Sequence, residues 1–453
     1  MNNIDFTTGK MLPKMIKFSL PLIFAIVLQA LYGAVDLVIV GNYGNSASQA
    51  AVATGGHIMQ TFTGIITGFT MGITVVIGRF IGAKEDKYIG KVVGNTVIIF
   101  TIIAVIITAV SIGLEGVFVR LLQVPEEAID GCLKYMFICS IGFIFVVAYN
   151  VISGFFRGIG NSNLPLFFIA IACIVNIALD FLFVKGLHMD AIGAAIATVL
   201  AQAISVIISI ITMYKKKDMF HISKDGFKLD NKIIKDIFKI GLPIALQDGL
   251  TNMSFLVIHS LINGMGISES AGIGIAERLF GILSIVPMSY LTVMATVVSQ
   301  NDGAGLQKRT NLALLEGTSI SFLFGLATFF LSYFGAEFLI RIFTLDNAVV
   351  ECTIGYIRIS SFEYLLISIA FCFMGYFNGR GHSLFVMAQG LTATFLCRIP
   401  LSFYYSGVEN AKMWMMAIPI PISASVTLGL CLIYFVILHF RDKRIQKKEG
   451  IQY

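Results

Sequence analysis

The sequence contains one internal repeat, and this repeat constrains the fold more strongly than any other feature. A segment that ends in Leu-Pro occupies residues 17–21 and recurs at residues 239–243, a shift of 222 residues. At a shift of 221, the later anchors that match are Gly82-Ala83 with Gly303-Ala304, and Gly158 and Gly160 with Gly379 and Gly381. One residue thus drops out between the two sets of anchors. Anchors that otherwise keep their spacing over about 140 residues indicate a duplicated structural unit.

Composition indicates the solvent in which the repeated unit folds. Hydrophobic residues make up 57% of the chain and charged residues 13%, against about 25% charged residues in a soluble domain. Apolar runs recur with the ~18 or more residues that a helix needs to cross a bilayer core. We therefore predict an all-α polytopic membrane protein. The first run follows three lysines but has no small-residue cleavage site, so we expect a retained helix rather than a signal peptide.

We predict twelve transmembrane helices from these runs. They lie near residues 15–41, 51–78, 91–113, 129–154, 162–184, 191–214, 237–265, 272–299, 310–335, 352–376, 384–407 and 411–438. The long polar segment between the sixth and seventh spans separates the two copies, so each copy contributes six helices. Because an even number of spans returns the chain to its starting side, the repeat is parallel. The predicted domains are an N-lobe (1–214), a linker (215–236), a C-lobe (237–440) and a basic tail (441–453).

The distribution of basic residues predicts the orientation. With these spans, 24 of the 32 lysines and arginines fall on one side of the membrane and five on the other. Cytoplasmic loops carry the excess of lysine and arginine, so both termini and the linker of this cell-membrane protein are expected in the cytoplasm. The net charge of +6 mostly reflects this bias, and no nucleic-acid partner is expected.

The sequence offers no constellation for catalysis. Its seven cysteines are scattered, without a CxxC pair or a histidine at metal-binding spacing. It also has no GxxxxGK phosphate-binding loop, no HExxH motif and no Ser/His/Asp grouping. We therefore expect neither an enzyme nor a bound cofactor, and no ATP-driven motor.

Ionisable residues inside the spans are the functional candidates, because a charge at the bilayer centre costs about 2.5–3.5 kcal/mol. They are Asp36, Asp180, Asp248, Arg358, Glu363 and Arg398. His57 and His259 are further candidates as proton carriers. A lone histidine within a span, however, more often forms a hydrogen bond between helices.

Asp36, Asn176, Asp180 and Thr198 form a candidate cation site. Asn176 and Asp180 are four residues apart and share a helix face, Asp36 lies near the middle of the first span, and Thr198 follows small residues that allow close helix approach. Two carboxylates, an amide oxygen and a hydroxyl suit a hard cation such as Na⁺, but the two acids would also serve to share a proton. A third interpretation, that each group only bonds a neighbouring helix, is equally open from the residues alone.

These features together resemble the multidrug and toxic compound extrusion (MATE) family. The resemblance rests on the Leu-Pro repeat, the spacing from Pro21 to Asp36, the pair Asn176 and Asp180, the glycine-alanine turns, and the FRGIGN segment at 156–161. It covers essentially the whole chain and implies two six-helix lobes with alternating access driven by a sodium or proton gradient. It also implies that the four candidate residues match the family's cation site in the first lobe.

The function that the resemblance implies is a cation-coupled antiporter that exports amphipathic, cationic drugs or other toxic organic compounds. Pro21 is expected to let the first helix bend, because proline breaks the backbone hydrogen-bond ladder. An apolar, adaptable substrate surface is expected, with the contributors Met59, Phe62, Phe69, Met71, Asp248, Met253, Phe255, Met288 and Glu363. Small organic compounds and the lipid bilayer are the expected partners of a monomeric chain.

The second lobe departs from the family pattern. Thr251 lies near a position where some members carry an acid, and Asn378 lies where arginine is common. Arg398 would neutralise either Asp248 or Glu363 across helices, and such a pair would be structural rather than substrate-binding.

Comparison of the two copies predicts where coupling occurs. The counterparts in the second copy are Ile258 for Asp36, Cys397 for Asn176, Leu401 for Asp180, and a position near Pro419 for Thr198. None of these carries an acid, so the coupling chemistry is expected in the first half only.

Two alternatives belong to other functional classes. A flippase of lipid-linked saccharides from the same superfamily would line its cavity with basic residues, whereas the mid-span charges of the first lobe are acidic. A membrane-embedded enzyme would need a nucleophile or metal constellation, which the sequence lacks.

Overall fold

The computed structural model describes residues 3–122, 124–221 and 224–449, and the regular structure within these ranges is helical. The helices of the first half are α1 (Met11–Tyr43), α2 (Ser46–Gly82), α3 (Ile89–Leu121), α4 (Glu126–Ile141), α5 (Phe143–Gly158), α6 (Asn163–Asp180), α7 (Asp190–Lys215) and α8 (Lys217–Phe220). Those of the second half are α9 (Asn231–Asn263), α10 (Ile267–Leu283), α11 (Ile285–Gly303), α12 (Gln307–Phe334), α13 (Ala336–Arg341), α14 (Asn347–Ser360), α15 (Phe362–Gly379), α16 (Ser383–Leu391), α17 (Ile399–Ser406) and α18 (Pro419–Glu449). The predicted linker and tail also contain residues 222–223 and 450–453, which lie outside the described residues.

The predicted spans coincide with these helices. Among the described residues, 9 continuous helical stretches are long and apolar enough to cross a membrane, and two bent pairs raise the number to 11. The bent pairs are α4 with α5, at 46°, and α10 with α11, at 43°. The remaining predicted span, 237–265, corresponds to α9, a helix of 33 residues whose apolar pattern is interrupted by Lys239, Gln247 and Asp248.

Several helices break where hydrophobic periodicity gives no signal. Gly142 separates α4 from α5, and Ser284 separates α10 from α11. α6 and α16 continue directly into π-helical segments, Phe181–Gly186 and Thr392–Arg398. A π-helical turn adds a residue to the ladder and re-aims the side chains around it, and such turns occur often at functional sites.

Pro21 lies inside α1, which runs through it without a break. The proline ring is buried and lacks the N–H that would bond the carbonyl of Lys17, so the ladder of α1 has one missing rung. The predicted bending of this helix therefore has a weak point in the structure, and the bending itself stays a prediction.

The chain divides into two compact units. Unit 1 comprises Met1–Gly249, Ala295–Ala313 and Gly379–Gly381, and unit 2 comprises Leu250–Met294, Leu314–Asn378 and His382–Tyr453. Unit 1 thus contains the first copy of the repeat and three short stretches of the second. One hydrophobic cluster of unit 1 lies among α1, α2, α4 and α7, and one of unit 2 lies among α9, α10, α13 and α14.

The glycine-alanine anchors of the repeat meet each other inside unit 1. A Cβ atom on Gly82 would collide with the backbone oxygen of Gln300, and a Cβ atom on Gly303 would collide with the backbone oxygen of Arg79. The end of α2 and the end of α11 therefore cross backbone to backbone, which only residues without a side chain permit.

The second pair of anchors repeats one contact in both copies. A Cβ atom on Gly158 would lie 2.8 Å from the Cβ atom of Ile77, and one on Gly379 would lie 2.8 Å from the Cβ atom of Val298. Ile77 and Val298 are themselves equivalent at the 221-residue shift. The repeat read from the sequence is thus also a repeat of contacts.

Candidate cation-coupling site

The candidate cation site lies in unit 1, where α6 packs against both α1 and α7. Asp36 comes from α1, Asn176 and Asp180 from one face of α6, and Thr198 from α7. The two aspartates are 3% and 0% exposed, and Asn176 is 0% exposed. The structure therefore brings all four predicted residues together and buries the two aspartates.

Small residues on α7 allow the close packing that forms the site. Gly193, Ala194, Ala195 and Ala197 are all buried. A Cβ atom on Gly193 would lie 3.1 Å from the side chain of Phe183, in the π-helical segment that follows Asp180. The N-terminal turns of α7 thus lie directly against the end of α6.

Two hydrogen bonds hold Thr198 in the site. Its hydroxyl Oγ1 donates to Asp36 Oδ2 at 3.1 Å, and the hydroxyl of Tyr32 donates to the backbone oxygen of Thr198 at 3.1 Å. Asn176 and Asp180 lie next to Asp36 from the side of α6. Asp36 is consequently the residue on which the other three converge.

Among the residues that the structure describes, five buried polar atoms of this group have no hydrogen-bond partner. They are Asp36 Oδ1, both carboxylate oxygens of Asp180, and both amide atoms of Asn176. A buried polar group left unpaired costs about 1–3 kcal/mol, and a charged one more, so native structures keep few of them. Four of the five atoms are oxygens, and a ligand with positive charge would satisfy them.

The donor set fits a monovalent cation or a proton. Within the described ranges, the structure has no group of three or more His, Cys, Asp or Glu side chains placed to hold a metal ion. The candidate cation site offers two carboxylates and two neutral oxygens. One Na⁺ held by Asp36, Asp180, the Asn176 amide oxygen and the Thr198 hydroxyl would lower the charge of the ionised pair from −2 to −1. One proton shared by the two aspartates would have the same electrostatic effect.

Three residues near the site were not predicted from the sequence. Tyr32 lies one helical turn before Asp36, and this spacing was a signal that could have identified it. Tyr135 and Cys139, four residues apart on α4, are buried beside Asp36. They come from the fourth predicted span and carry no charge, so nothing in the sequence singled them out.

The second copy has no equivalent site in the described residues. Ile258, the counterpart of Asp36, belongs to a hydrophobic cluster of unit 2. The helix that corresponds to α6 carries Cys397 and Leu401 at the equivalent positions. At these three positions the second copy therefore has apolar side chains where the first copy has the polar side chains of the candidate cation site.

Unit 2 contains a different charged group, in which Arg398 pairs with Glu363. Arg398 Nη2 donates to Glu363 Oε1 at 2.8 Å and Arg398 Nε donates to Ser423 Oγ at 2.9 Å. The guanidinium also lies over the ring of Phe255, 5.3 Å from its centroid. Glu363 and Arg398 are 6% and 9% exposed, so this is a buried and well-satisfied ion pair.

Asp248, the other acid that Arg398 was predicted to neutralise, lies elsewhere. It is half-buried in unit 1, where a Cβ atom on Gly68 of α2 would lie 3.2 Å from Asp248 Oδ2. No hydrogen bond or ion pair to its carboxylate occurs among the described residues. Asp248 therefore retains an uncompensated carboxylate, whereas Glu363 does not.

The two histidines have different surroundings. His259 Nε2 lies 3.3 Å from Glu277 Oε2, a pair that links α9 to α10. His57 is exposed on α2. The interhelical interpretation of His259 agrees with this contact.

The residues predicted for the substrate surface divide into two groups. Met59 and Phe62 pack against the hydrophobic cluster of unit 1, and Met71 is buried. Met253 and Met288 are 61% and 39% exposed on unit 2. The exposed pair retains the character that was predicted for an adaptable surface, while the first three contribute to helix packing.

A model of the MatE family matches two stretches of the chain, residues 21–182 and 243–404. The two stretches are offset by 222 residues, which is the shift found within the sequence itself. The family model thus recognises each copy of the repeat separately.

Named relatives extend over nearly the whole chain. "Probable multidrug resistance protein YpnP" of Bacillus subtilis is 26% identical over 413 residues, which are 91% of this chain and 92% of the relative. "Multidrug export protein MepA" of Staphylococcus saprophyticus is 24% identical over 417 residues, 89% of each chain.

Solved structures share the fold. A MOP superfamily transporter from Pyrococcus furiosus superposes with a TM-score of 0.90 and 20% sequence identity, covering 96% of this chain and 97% of that chain. At this identity the likeness concerns the fold alone. It confirms the predicted fold class, an all-α membrane protein with twelve helices in two six-helix lobes.

Proposed function

Because this chain belongs to the MatE family, we propose that it exports amphipathic organic cations across the cell membrane in exchange for Na⁺ or H⁺. The names of its relatives, a multidrug resistance protein and a multidrug export protein, support drug-like compounds as the exported class. The membrane-spanning character of the helices supports transport rather than chemistry on a soluble substrate.

One observation carries the coupling part of this proposal. Two buried aspartates, Asp36 and Asp180, lie together with unpaired oxygens and with Thr198 as their neutral neighbour. An ion pair that a structural role required would have its basic partner in place, as Glu363 has in Arg398. The unpaired acids instead favour a partner that arrives and leaves, which is what a coupling ion does.

The proposed mechanism connects occupancy of this site to the conformation of α1. Asp36 lies 15 residues beyond Pro21 on the same helix, or about 22 Å at 1.5 Å per residue. Neutralisation of one charge would relax the repulsion between Asp36 and Asp180 and change how α1 packs on α6. The missing hydrogen bond at Pro21 would let α1 bend in response.

The energy available from the ion is sufficient for such a step. One elementary charge that crosses 100 mV contributes about 2.3 kcal/mol, and its concentration gradient adds to this. The same quantity is comparable with the cost of one unpaired buried polar group, so ion binding and release can shift a balance between two conformations.

We assign substrate selectivity to an unpaired carboxylate, that of Asp248, and to an apolar surface with flexible methionine side chains. Asp248 of unit 1 has no basic partner among the described residues, so it would attract a cationic compound. Met253 and Met288 belong to unit 2, and their flexible side chains would adapt to different apolar shapes. Glu363 is already neutralised by Arg398 and is a weaker candidate. The acidic character of the first-copy site argues against the flippase alternative, whose pyrophosphate substrate would require basic residues.

Orientation and assembly complete the proposal. The excess of lysine and arginine on one predicted side supports cytoplasmic termini. We assign transport to the monomer, since the candidate site is formed within one chain.

A reconstituted system tests the proposal. Proteoliposomes that contain a cationic fluorescent dye would receive either a sodium gradient at equal pH or a pH gradient without sodium. The wild type is expected to move dye with one of the two gradients, and Asp36→Asn is expected to lose this gradient-driven movement. Asp130→Asn is the matched control, because Asp130 is an exposed carboxylate of unit 1 that pairs with Lys134 at 2.6 Å.

Three outcomes decide the matter. Equal dye movement by the wild type and Asp36→Asn would overturn the coupling role. Movement of a fluorescent lipid-linked pyrophosphate without any movement of dye would favour the flippase. Loss of dye movement in the Asp130→Asn control would show that the effect of Asp36→Asn is not specific to the candidate cation site.

A further inference from the structure

The N-terminal strap, residues 3–9, docks against unit 1 ahead of α1. Its anchor is Phe6, whose side chain is fully buried and packs edge-to-face on Phe18 with a centroid distance of 5.4 Å. Asp5 and Thr8 are exposed, and Thr7 is half-buried. Phe6 is therefore the side chain through which the strap enters the interior of unit 1.

The strap shapes itself through a turn centred on Asp5. The Asp5 carboxylate accepts the Thr7 N–H at 2.8 Å, the Thr7 hydroxyl at 2.6 Å and the Thr8 hydroxyl at 3.1 Å. Partial burial raises the pKa of Asp5, but these hydrogen bonds outweigh it and hold the pKa below its usual value. Because the pKa of Asp5 is lower in the folded state, its carboxylate stabilises the turn at any pH above the unfolded pKa. This stabilisation is lost as the pH falls through the folded pKa.

One set of hydrogen bonds ties the strap to the first copy. The Ile4 N–H donates to the backbone oxygen of Gly160 at 2.9 Å. Gly160 has a φ of +81°, and a Cβ atom there would collide with the Ile4 backbone oxygen, so this contact requires glycine. Lys14 Nζ donates to the backbone oxygens of Asp5 and Thr8 at 2.6 and 2.7 Å.

A second set ties the strap to the second copy. Arg309, at the start of α12, donates to the backbone oxygens of Phe6 and Thr8 at 2.9 Å each and of Gly9 at 3.1 Å. The Phe6 N–H donates to Gln300 Oε1 at 3.2 Å. The strap is therefore a bridge between the two copies of the repeat.

The two copies of the repeat also contact each other directly, through one equivalent side chain from each copy. Arg79 and Gln300 occupy equivalent positions at the 221-residue shift, and so do Gly158 and Gly379. Arg79 Nη2 donates to the backbone oxygen of Gly379 at 3.4 Å, and Gln300 Nε2 donates to that of Gly158 at 3.0 Å. Each copy thus bonds the other through one equivalent side chain.

The two halves of this contact differ in what surrounds that side chain. In one half, Asp302 lies 3.7 Å from Arg79 and 3.4 Å from Arg380, which forms a two-arginine ion-pair cluster. The guanidinium of Arg79 lies against Gly381. In the other half, glutamine leaves no charge to pair, and the strap backbone lies against Gly160, the equivalent of Gly381.

We propose that the N-terminal strap is a releasable clasp between the two copies of the repeat. It holds closed the half of their contact that is without the counterpart of the Arg79, Asp302 and Arg380 cluster, and it must undock from Gln300 and Arg309 before the copies can part at this face. The inference rests on the proposed function, since only a chain that alternates between conformations needs a contact that opens. The strap would therefore set the balance between the closed and open forms of this face.

Cysteine labelling at the crossing of α2 and α11 tests the clasp. Ser299 is fully buried there, with its hydroxyl against Gly78, so the alkylation rate of Ser299→Cys reports how often the crossing opens. The rate would be measured by peptide-resolved mass spectrometry on the full chain purified in detergent. Arg309→Gln removes the clasp from the second copy, and Phe6→Ala weakens it from the strap itself.

We expect alkylation to be roughly tenfold faster in Arg309→Gln, because a hydrogen bond to a charged group is worth about one factor of ten or more in an equilibrium constant. A smaller increase in the same direction is expected for Phe6→Ala. Arg341→Gln is the matched control, because Arg341 is an exposed arginine of the second copy whose partner is Glu337 at 2.8 Å.

An unchanged labelling rate in Arg309→Gln or Phe6→Ala, with normal elution as a folded protein, would overturn the clasp. Equal acceleration by Arg341→Gln would also overturn it, since the effect would then be general loosening. If wild-type dye export failed, the exchange mechanism would be rejected, but the labelling result would stand because it requires no transport.

Discussion

Replacement of Glu363 by glutamine is expected to destabilise unit 2. Glutamine keeps the shape of the side chain and one acceptor oxygen, but it removes the charge that faces Arg398. The ion pair is short, at 2.8 Å, and its side chains are only 8% and 11% exposed. The arginine would keep Ser423 and the ring of Phe255 as partners, yet its charge would be left without a counter-ion.

The size of the effect follows from this burial. Removal of one partner of a buried ion pair costs about 3–5 kcal/mol. With an unfolding entropy of about 2.1 cal/mol/K per residue, a loss of about 3 kcal/mol corresponds to a Tm decrease of about 3 °C for 453 residues. If unit 2 unfolds separately, the decrease is larger because fewer residues share the transition.

The chain offers a close control in the pair of Glu337 and Arg341. It also joins a glutamate to an arginine in unit 2 at 2.8 Å, but the two side chains are 56% and 41% exposed. Exposed pairs contribute about 0.2–1 kcal/mol, so Glu337→Gln should leave Tm nearly unchanged. Thermal unfolding of the purified variants, followed by the binding of a fluorescent dye or by light scattering, measures the Tm of each variant.

A double replacement distinguishes structure from substrate binding. Glu363→Met with Arg398→Met replaces the pair by apolar groups of similar size, which is often neutral or stabilising. We expect this variant to recover Tm and to retain dye export. Equal Tm decreases for Glu363→Gln and Glu337→Gln would show that burial does not strengthen the ion pair. A stable double variant without export would assign Glu363 to the substrate.

Three further predictions concern unit 1. Thr198→Val should weaken use of the coupling ion by about tenfold, because it removes one oxygen beside Asp36, and Thr198→Ser should restore it; the ion concentration for half-maximal export measures this. Asp248→Asn should reduce export of cationic dyes but not of neutral compounds of similar size, which parallel flux assays with both would reveal. Gly82→Ala should prevent stable folding because its Cβ atom would meet backbone, whereas Gly33→Ala, with open space at that position, should not; yield of monodisperse protein compares them.

The sequence predicted the helices and their order well, because each span is marked by a long apolar run. It did not predict the breaks at Gly142 and Ser284, since neither interrupts the apolar pattern. The composition of a membrane helix is apolar on every side, so the sequence also could not distinguish core from surface. The burial of Met71, for example, has no signal in the sequence.

The candidate cation site could be predicted because polar residues are conspicuous within apolar spans. Tyr32, Tyr135 and Cys139 were missed because each is an ordinary constituent of a membrane helix, and only their three-dimensional position brings them to Asp36. Comparison of the two copies of the repeat contributed more to the prediction of the site, because it showed that Asp36 and Asp180 have no acidic counterparts in the second copy.

Side-chain pairing lies beyond what the sequence can decide. Arg398 had two acids as possible partners, and the spacing favoured neither. Arg309 was counted only as one of the basic residues that fix orientation, yet it donates three hydrogen bonds to backbone oxygens of the strap. Backbone acceptors are the same for every residue, so no sequence pattern marks them.

One coupling ion is proposed to bind to the first copy of the repeat and none to the second. Equilibrium titration of the purified protein, with Na⁺ at constant pH and with protons in the absence of Na⁺, measures this directly. We expect one ion bound per chain, lost in Asp36→Asn and retained in Glu363→Met with Arg398→Met. Undiminished binding of that ion by Asp36→Asn would contradict it.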